Sequence, residues 1–277
     1  MRQAGVRDAE LQPGHFPLVV YSHTSLGHRR QSTYLCTHLA SHGFVVVAPD
    51  HTGNSFADLV ARSRRDTTLT PQQREILIER IIADRVPDLR FVVDALRSVT
   101  DLTEGVGVID IADVIDWERM GLVGWSFGGW AALATPEVDN RFSAVVAIAP
   151  GGSANPLPGI IPAQLSFKWQ LEVPTLFLVA EFDRYTPLSG MAELYERTPS
   201  RKQMFVLRYA DHDHFGDHVE TELCPRFAAH LFTRALALAH LEAALKSNAA
   251  VEAFLASDPI AHLQARGVAA LAYPTAH

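Results

Sequence analysis

MGLVGWSFGGWAALAT, residues 120–135, changes character in mid-run. MGLVGWS (120–126) is a short apolar stretch suited to a buried strand, and FGGWAALAT (127–135) opens a helix that ends before Pro136. Where the two meet lies GWSFG (124–128), a G-x-S-x-G pattern at a strand-to-helix turn. A serine there holds strained backbone angles, so its neighbours must be small, and its Oγ projects above the sheet edge. The N–H of Phe127 then points to where an oxyanion would form, with the positive end of the new helix beneath it. Gly129 extends the run of small residues. Ser126 is therefore a candidate nucleophile and Phe127 a candidate oxyanion donor. The competing reading is a glycine-rich packing turn with an incidental serine.

The segments on either side repeat the strand pattern. FPLVVYSH (16–23), FVVVAPDH (44–51), FSAVVAIAP (142–150), PTLFLVAE (174–181) and KQMFVLRY (202–209) are short apolar runs bounded by turn residues. Helical spacing marks QSTYLCTHLASHG (31–43), whose glycine suits a helix C-cap, and most of residues 57–98. Within the latter, TPQQ (70–73) supplies a threonine cap and a proline at the first helical position, and RVPDLRFVVDALRSV (85–99) makes a further amphipathic helix. Alanine- and leucine-rich residues 225–246 form a late helix. Strands alternating with helices predict βαβ units and a mostly parallel sheet. With no repeat or low-complexity linker visible, one domain over residues 1–277 is expected, with a helical insertion at about 57–84. The tail at about 248–277, mixed helix and loop, could pack on the body or mediate contacts in a homodimer. So few residues precede the first strand that one or two edge strands are expected to be missing.

A serine is a weak nucleophile at its own pKa and needs a histidine base, oriented in turn by an acid. In a fold of this kind the acid and then the histidine follow late strands. LFLVAEFDRYTP (176–187) offers Asp183, with Glu181 as the alternative acid. YADHDHFGDH (209–218) follows the last strand and offers His212, His214 and His218. His212 stands nearest the strand end, Phe215 could pack on the core, and His218 is expected to begin the next helix. HDHFGDH (212–218) also approaches an H-x-H-x-D-H metal signature, with one residue too many before the aspartate and after the wrong strand. Asp211, Asp213 and Asp217 are then expected on a solvated loop rim.

The bulk composition excludes several classes. A net charge of −7 argues against a nucleic-acid binder, and RSRR (62–65) is accounted for as a solvated face. No run reaches the roughly 18 apolar residues of a membrane helix. The N-terminus has no apolar signal-peptide core, and two cysteines, Cys36 and Cys224, make no disulfide framework. A cytoplasmic protein is expected. GVG (105–107) lacks the pattern of a phosphate loop. His23 and His51 suit hydrogen-bonding roles in loops, and Trp117, Trp130 and Trp169 suit core or pocket wall.

YSHTSLGHRRQSTYLCTHLASHGFVVVAPDHTGNS (21–55), followed by MGLVGWSFGG (120–129), resembles the α/β-hydrolase superfamily. Within it the likeness is to dienelactone-hydrolase-like, platelet-activating-factor-acetylhydrolase-like and cutinase-like esterases, over residues from about 16 to 232. The resemblance implies an α/β-hydrolase fold, a small-molecule carboxylic ester as substrate, an acyl-enzyme intermediate, and neither cofactor nor metal. It implies Asp183 as the acid, and the family's histidine followed three residues later by phenylalanine matches His212 and Phe215. Where the family has Ser-His-Gly, this chain has SHTS (22–25), so the residue completing the oxyanion hole is Ser25 and Thr24 replaces the glycine. The family's histidine before the nucleophile is here Trp125, a packing change. The same machinery would serve amide, lactone or thioester cleavage or acyl transfer. A binding protein without turnover is the alternative from outside enzymology. Substrate is expected above the strand ends, walled by the 57–84 helices and the 151–170 segment.

Overall fold

The computed structural model describes residues 9–64, 69–98 and 111–274. The GVG triplet and Arg65 of the RSRR run lie outside the described residues. In chain order the elements are β1 (Phe16–Ser22), α1 (Thr33–Ser41), β2 (Val45–Val47), α2 (Phe56–Arg64), α3 (Pro71–Ser98), β3 (Ile115–Trp125), α4 (Phe127–Ala134), β4 (Phe142–Ile148), β5 (Thr175–Ala180), α5 (Leu188–Arg197), β6 (Lys202–Leu207), α6 (Arg226–Lys246), α7 (Ala249–Ala256), α8 (Pro259–Gln264) and β7 (Ala270–Tyr273). The strands form a seven-stranded sheet in the order β2-β1-β3-β4-β5-β6-β7. All neighbours pair in parallel except β6 and β7, which are antiparallel. This is the mostly parallel, helix-flanked sheet of the α/β-hydrolase fold.

Each central strand feeds two cores, because side chains alternate across a strand. Val19 and Tyr21 of β1 join the cluster under α1 and α6, with Phe232, Leu236 and Leu241. Leu18 and Val20 of the same strand join the opposite cluster, under α3 and α4, with Leu89, Val93 and Trp130. Burying side chains such as Leu35, Leu89 or Phe232, none of them exposed, stabilises the fold by about 1.5–3 kcal/mol apiece. Gly121 allows α6 to sit close, since a Cβ there would lie 3.1 Å from both Leu241 and Leu245.

Several local expectations are corrected. Residues 71–98 form one 28-residue helix through Pro87, not two. An interior proline costs about 3 kcal/mol, offset here by burial of Val86, Leu89 and Val93 on both sides of it. The foreseen threonine cap is present: Thr70 Oγ1 accepts from Gln73 N (3.2 Å), and Gln73 Oε1 accepts from Thr70 N (2.9 Å). Helix α5 was not anticipated. The tail packs on the body, with α7 and α8 against α6 and β7 along β6, where Leu207 pairs with Ala270 and Met204 with Tyr273. The tail thus supplies an edge strand beside β6, while among the described residues no strand lies beyond β2 at the other edge.

No helix among the described residues is long and apolar enough to cross a membrane. Cys36 and Cys224 are free, and burial pushes their thiols up to about 12 and about 11.

Candidate active site

The turn from β3 into α4 holds Ser126 at φ 60°, ψ −117°, a conformation that L-residues rarely adopt. The surroundings over-determine it. Ser126 N donates to Ile148 O (2.8 Å), and Ser126 O accepts from Trp130 N (3.0 Å) and Gly151 N (2.9 Å). The glycines are dictated by backbone crossing: a Cβ on Gly124 would lie 2.0 Å from Gly128 O, and one on Gly128 2.0 Å from Ser22 O. A Cβ on Gly129 would sit 2.9 Å from Pro150.

Asp183 leaves the end of β5, buried, and every carboxylate oxygen is engaged. Oδ1 accepts from the N–H groups of Tyr185 and Thr186 at 2.8 Å each, and Oδ2 accepts from Thr186 Oγ1 at 2.8 Å. His212 Nδ1 lies 2.6 Å from Oδ2. Burial alone would raise this carboxyl, but the hydrogen bonds from His212 and Thr186 outweigh it and hold it below the ordinary range. Facing a carboxylate, Nδ1 carries the proton, which leaves His212 Nε2 as the basic nitrogen. His212 sits on a short 3₁₀ turn, His212–Phe215, and Phe215 is buried in the core as expected.

The other candidates are engaged elsewhere. Glu181 accepts from Tyr209 N (2.9 Å) and from Arg208 (3.3 Å), a clamp between β5 and β6. His214 closes the cap of the 3₁₀ turn, with Nδ1 2.8 Å from Asp211 Oδ1 and 3.1 Å from Asp211 N. Asp217 is not merely part of a solvated rim: its two oxygens cap α1 by accepting from Thr33 N (3.2 Å) and Tyr34 N (3.1 Å). His218 lies exposed in a loop well before α6 begins at Arg226, not at a helix start. The histidine cluster therefore disperses to separate tasks, and no grouping that could hold a metal ion occurs among the described residues.

A cavity of about 270 Å³ opens over the strand ends, lined by Ser25, Ser126, Phe127, Tyr185 and His212, with Ile160 and Ile161 from the 151–170 segment. No described residue of 57–84 lines it, contrary to expectation. Ser25 and Phe127 both line this space, and neither backbone N–H donates to an acceptor among the described residues. Trp125 also lines it, its ring centre 5.7 Å from that of His212. Larger or comparable grooves occur elsewhere, of about 600 Å³ beside Arg74 and Ile78 and about 280 Å³ beside Lys202 and His240. Neither brings a serine to a histidine, so chemistry rather than size selects the first cavity.

Beside the cavity lies a polar network in which His23 and His51 take the hydrogen-bonding roles expected of them, with partners the sequence does not reveal. Ser22 Oγ is 3.0 Å from His51 Nε2, and His51 Nδ1 is 2.8 Å from Asp88 Oδ2. This is a second Ser–His–Asp series, but Ser22 and His51 are each only 1% exposed, out of substrate's reach. Burial first, then Arg85, lowers His51 to about 4 against the raising effect of Asp88, so a neutral imidazole meets Asp88 through a hydrogen bond and not as the cation of an ion pair. His51 N donates to His23 Nε2 (3.1 Å), so His23 Nδ1 is the protonated nitrogen and donates to Thr24 O (2.7 Å). Burial, then Arg85, brings His23 down to about 3. Thr24, which stands in place of the glycine, is gripped by Gln31: Oγ1 accepts from Gln31 Nε2 (2.9 Å), and Thr24 N donates to Gln31 Oε1 (3.2 Å). The contacts of His51 with Ser22, His23 and Asp88 join residues 28 to 37 positions apart, which is why no local pattern revealed them.

The family profile described as platelet-activating factor acetylhydrolase, isoform II, matches residues 2–262. Three proteins named platelet-activating factor acetylhydrolase are similar to this chain. The dog protein is 24% identical over 261 residues, covering 86% of this chain and 54% of the relative. The guinea pig protein is 22% identical over 226 residues (73% and 48%), and the bovine protein 28% identical over 162 residues (51% and 36%). The chain thus spans about half the length, or less, of these relatives. With a profile match across nearly its whole length, on a sheet and elbow of the matching architecture, the chain belongs to the platelet-activating factor acetylhydrolase, isoform II, family.

Proposed function

We propose that this chain is a serine hydrolase that cleaves carboxylic esters through an acyl-enzyme. Ser126 is the nucleophile, His212 the base and Asp183 the acid that orients it. The observation that carries this reading is the 2.6 Å contact from Asp183 to His212 beside a cavity that Ser126 shares. His212 Nε2 takes the proton from Ser126 as Oγ attacks the ester carbonyl, and Asp183 stabilises the imidazolium that forms. The N–H groups of Ser25 and Phe127 receive the oxyanion, a contribution of roughly 3 kcal/mol per donor. His212 returns its proton to the departing alcohol, then activates the water that releases the acid.

Short acyl groups are favoured. A cavity of about 270 Å³ walled by Ile160 and Ile161 is at the small end of ligand sites, which span roughly 300–1,000 Å³. The relatives' name, an acetylhydrolase, supports the same choice. A p-nitrophenyl ester series from acetyl to octanoyl, run with thioester, lactone and anilide analogues, tests it. Fluorophosphonate labelling mapped by mass spectrometry, with and without EDTA, tests the nucleophile. A Ser126 adduct with chelator-independent turnover is expected; no adduct, or activity lost to EDTA, would sink the assignment. A cytoplasmic location is supported by the free cysteines, and subcellular fractionation checks it. Light scattering of the purified chain decides on the homodimer.

A further inference from the structure

Helix α3 carries a cation that ester cleavage as described leaves unused. Arg85 is 1% exposed, and no carboxylate is among its hydrogen-bond partners. Nη2 donates to the carbonyl oxygens of His23 and Thr24, the latter at 3.3 Å, and Nη1 donates to Asn54 Oδ1 at 3.0 Å. The guanidinium carbon lies 4.8 Å from the centre of the Phe127 ring, and Nε has no hydrogen-bond partner among the described residues. Burying a charge this way is costly, and an apolar side chain of the same volume would serve stability better.

The carbonyls it holds identify its task. A trans peptide is planar, with its C=O and N–H pointing in opposite directions, and the Thr24–Ser25 bond is trans. Thr24 O is held from below by Arg85 and by His23 Nδ1. The N–H at the opposite edge of the same peptide is that of Ser25, a residue that lines the cavity. Asn54 ties the assembly together, since its Nδ2 donates to Ser25 Oγ (3.1 Å) while its Oδ1 accepts from Arg85.

We propose that Arg85 is a positioning residue for the oxyanion hole: its planar fork, with Nη2 on two successive carbonyls and Nη1 on Asn54, sets the Thr24–Ser25 peptide so that Ser25 N–H faces the reacting carbonyl. Its stacking on Phe127 lets the same side chain brace the residue that offers the other donor. Helix α3, which does not line the cavity, therefore acts on it from beneath. Lysine cannot replace this arginine, because an ammonium has no fork to span two carbonyls and Asn54 at once. The inference rests on the ester-hydrolase reading of Ser126.

The test is steady-state kinetics on p-nitrophenyl acetate for wild type, Arg85→Lys and Arg85→Ala, with Leu89→Ala as a packing control from the next turn of the same helix. A misplaced donor weakens the transition state and not the bound ester. The expected result is therefore a roughly 10- to 100-fold loss of kcat with KM within about threefold, below the ~10²–10³ cost of deleting a donor outright. Added guanidinium chloride restores kcat in Arg85→Ala where ammonium chloride does not, and Leu89→Ala keeps wild-type kcat despite a lower Tm. If the Arg85 variants are active with kcat within about twofold of wild type, the inference is overturned while the esterase reading stands. If Leu89→Ala loses as much kcat, the effect is general loosening and the inference again fails. Should neither Arg85 variant fold, Asn54→Ala decides by the same criterion: kcat reduced at constant KM supports it, unchanged kcat refutes it. A wild-type protein without Ser126 labelling or ester turnover removes the reading and the inference together.

Discussion

Replacing Asp183 by asparagine separates the acid's geometric role from its charge. Asparagine Oδ1 can still accept from the Tyr185 and Thr186 N–H groups, both at 2.8 Å. The other position becomes an NH₂ facing two former donors, Thr186 Oγ1 and His212 Nδ1. The threonine hydroxyl can rotate and accept. The imidazole can accept at Nδ1 only by carrying its proton on Nε2, the wrong tautomer for taking a proton from Ser126. A swap of this kind in such a triad costs about 10⁴ in kcat, or ~5 kcal/mol of transition-state stabilisation. The fold should lose less, about 1–3 kcal/mol for hydrogen bonds to a charged group. Because folding lowers the Asp183 pKa, its carboxylate stabilises the native state above the unfolded value, and that contribution is lost as pH falls through the folded one. The Tm gap between variant and wild type is therefore expected to close below about pH 4. The assay is p-nitrophenyl acetate turnover alongside Glu181→Gln, whose carboxylate only clamps Arg208 and Tyr209. Asp183→Asn retaining more than about a tenth of wild-type kcat, or Glu181→Gln losing as much, would refute the assignment of the acid.

Three further outcomes follow from the same geometry. Ser126→Ala abolishes fluorophosphonate labelling, whereas Ser22→Ala keeps it, because Ser22 is sealed beneath the loop; an adduct on Ser22 by mass spectrometry would reverse the choice of triad. Gly128→Ala places a methyl 2.0 Å from Ser22 O and is expected to cost more than about 3 kcal/mol or prevent folding. Gly53→Ala meets nothing within 4 Å and has only its φ of +84° against it, a cost of about 1–2 kcal/mol by urea denaturation. Stability falls on acidification: His23, His51 and His240 are lowered to about 3, 4 and 4 by burial, so the unfolded chain takes up protons first. The stability they permit is present above about pH 6.5 and declines toward pH 4, by ~2 kcal/mol per histidine between pH 7 and 5. Urea midpoints that stay flat or rise over that interval would contradict it.

The parallel sheet was legible because its strands are short apolar runs of β-branched residues, a pattern that survives without context. What escaped was structure whose local signal points elsewhere. GVAALAYP, residues 267–274, is rich in alanine and so favours a helix by composition, yet Ala270–Tyr273 pairs with β6 because an open sheet edge offers its backbone partners. A proline such as Pro87 disfavours continuation of a helix, yet α3 runs from 71 to 98 through it because Arg85, Val86, Leu89 and Val93 are buried on either side. In both cases tertiary contacts outweigh a local preference of a few kcal/mol.

The site divides along the same line. Ser126 could be found because its constraint is local: five residues must turn sharply, and the glycines record the two backbone approaches at 2.0 Å. Asp183 and His212 could be found because strand order places them. The series Asp88–His51–Ser22 was invisible, although its distances of 2.8 and 3.0 Å match those expected of a working triad. Hydrogen bonds alone would favour the lower series, since among the described residues Asp183 bonds His212 but no hydrogen bond joins His212 to Ser126 Oγ. Access and strain favour the upper one: Ser126 stands at positive φ on a cavity wall, while Ser22 ends a strand at 1% exposure. A buried Ser–His–Asp series fixes a loop in place; the same atoms at a strained, open turn can attack a carbonyl. The lower series reaches the Thr24 carbonyl only through His23, whose Nε2 accepts from His51 N and whose Nδ1 donates to Thr24 O, so it supports the loop without taking part in the proposed chemistry.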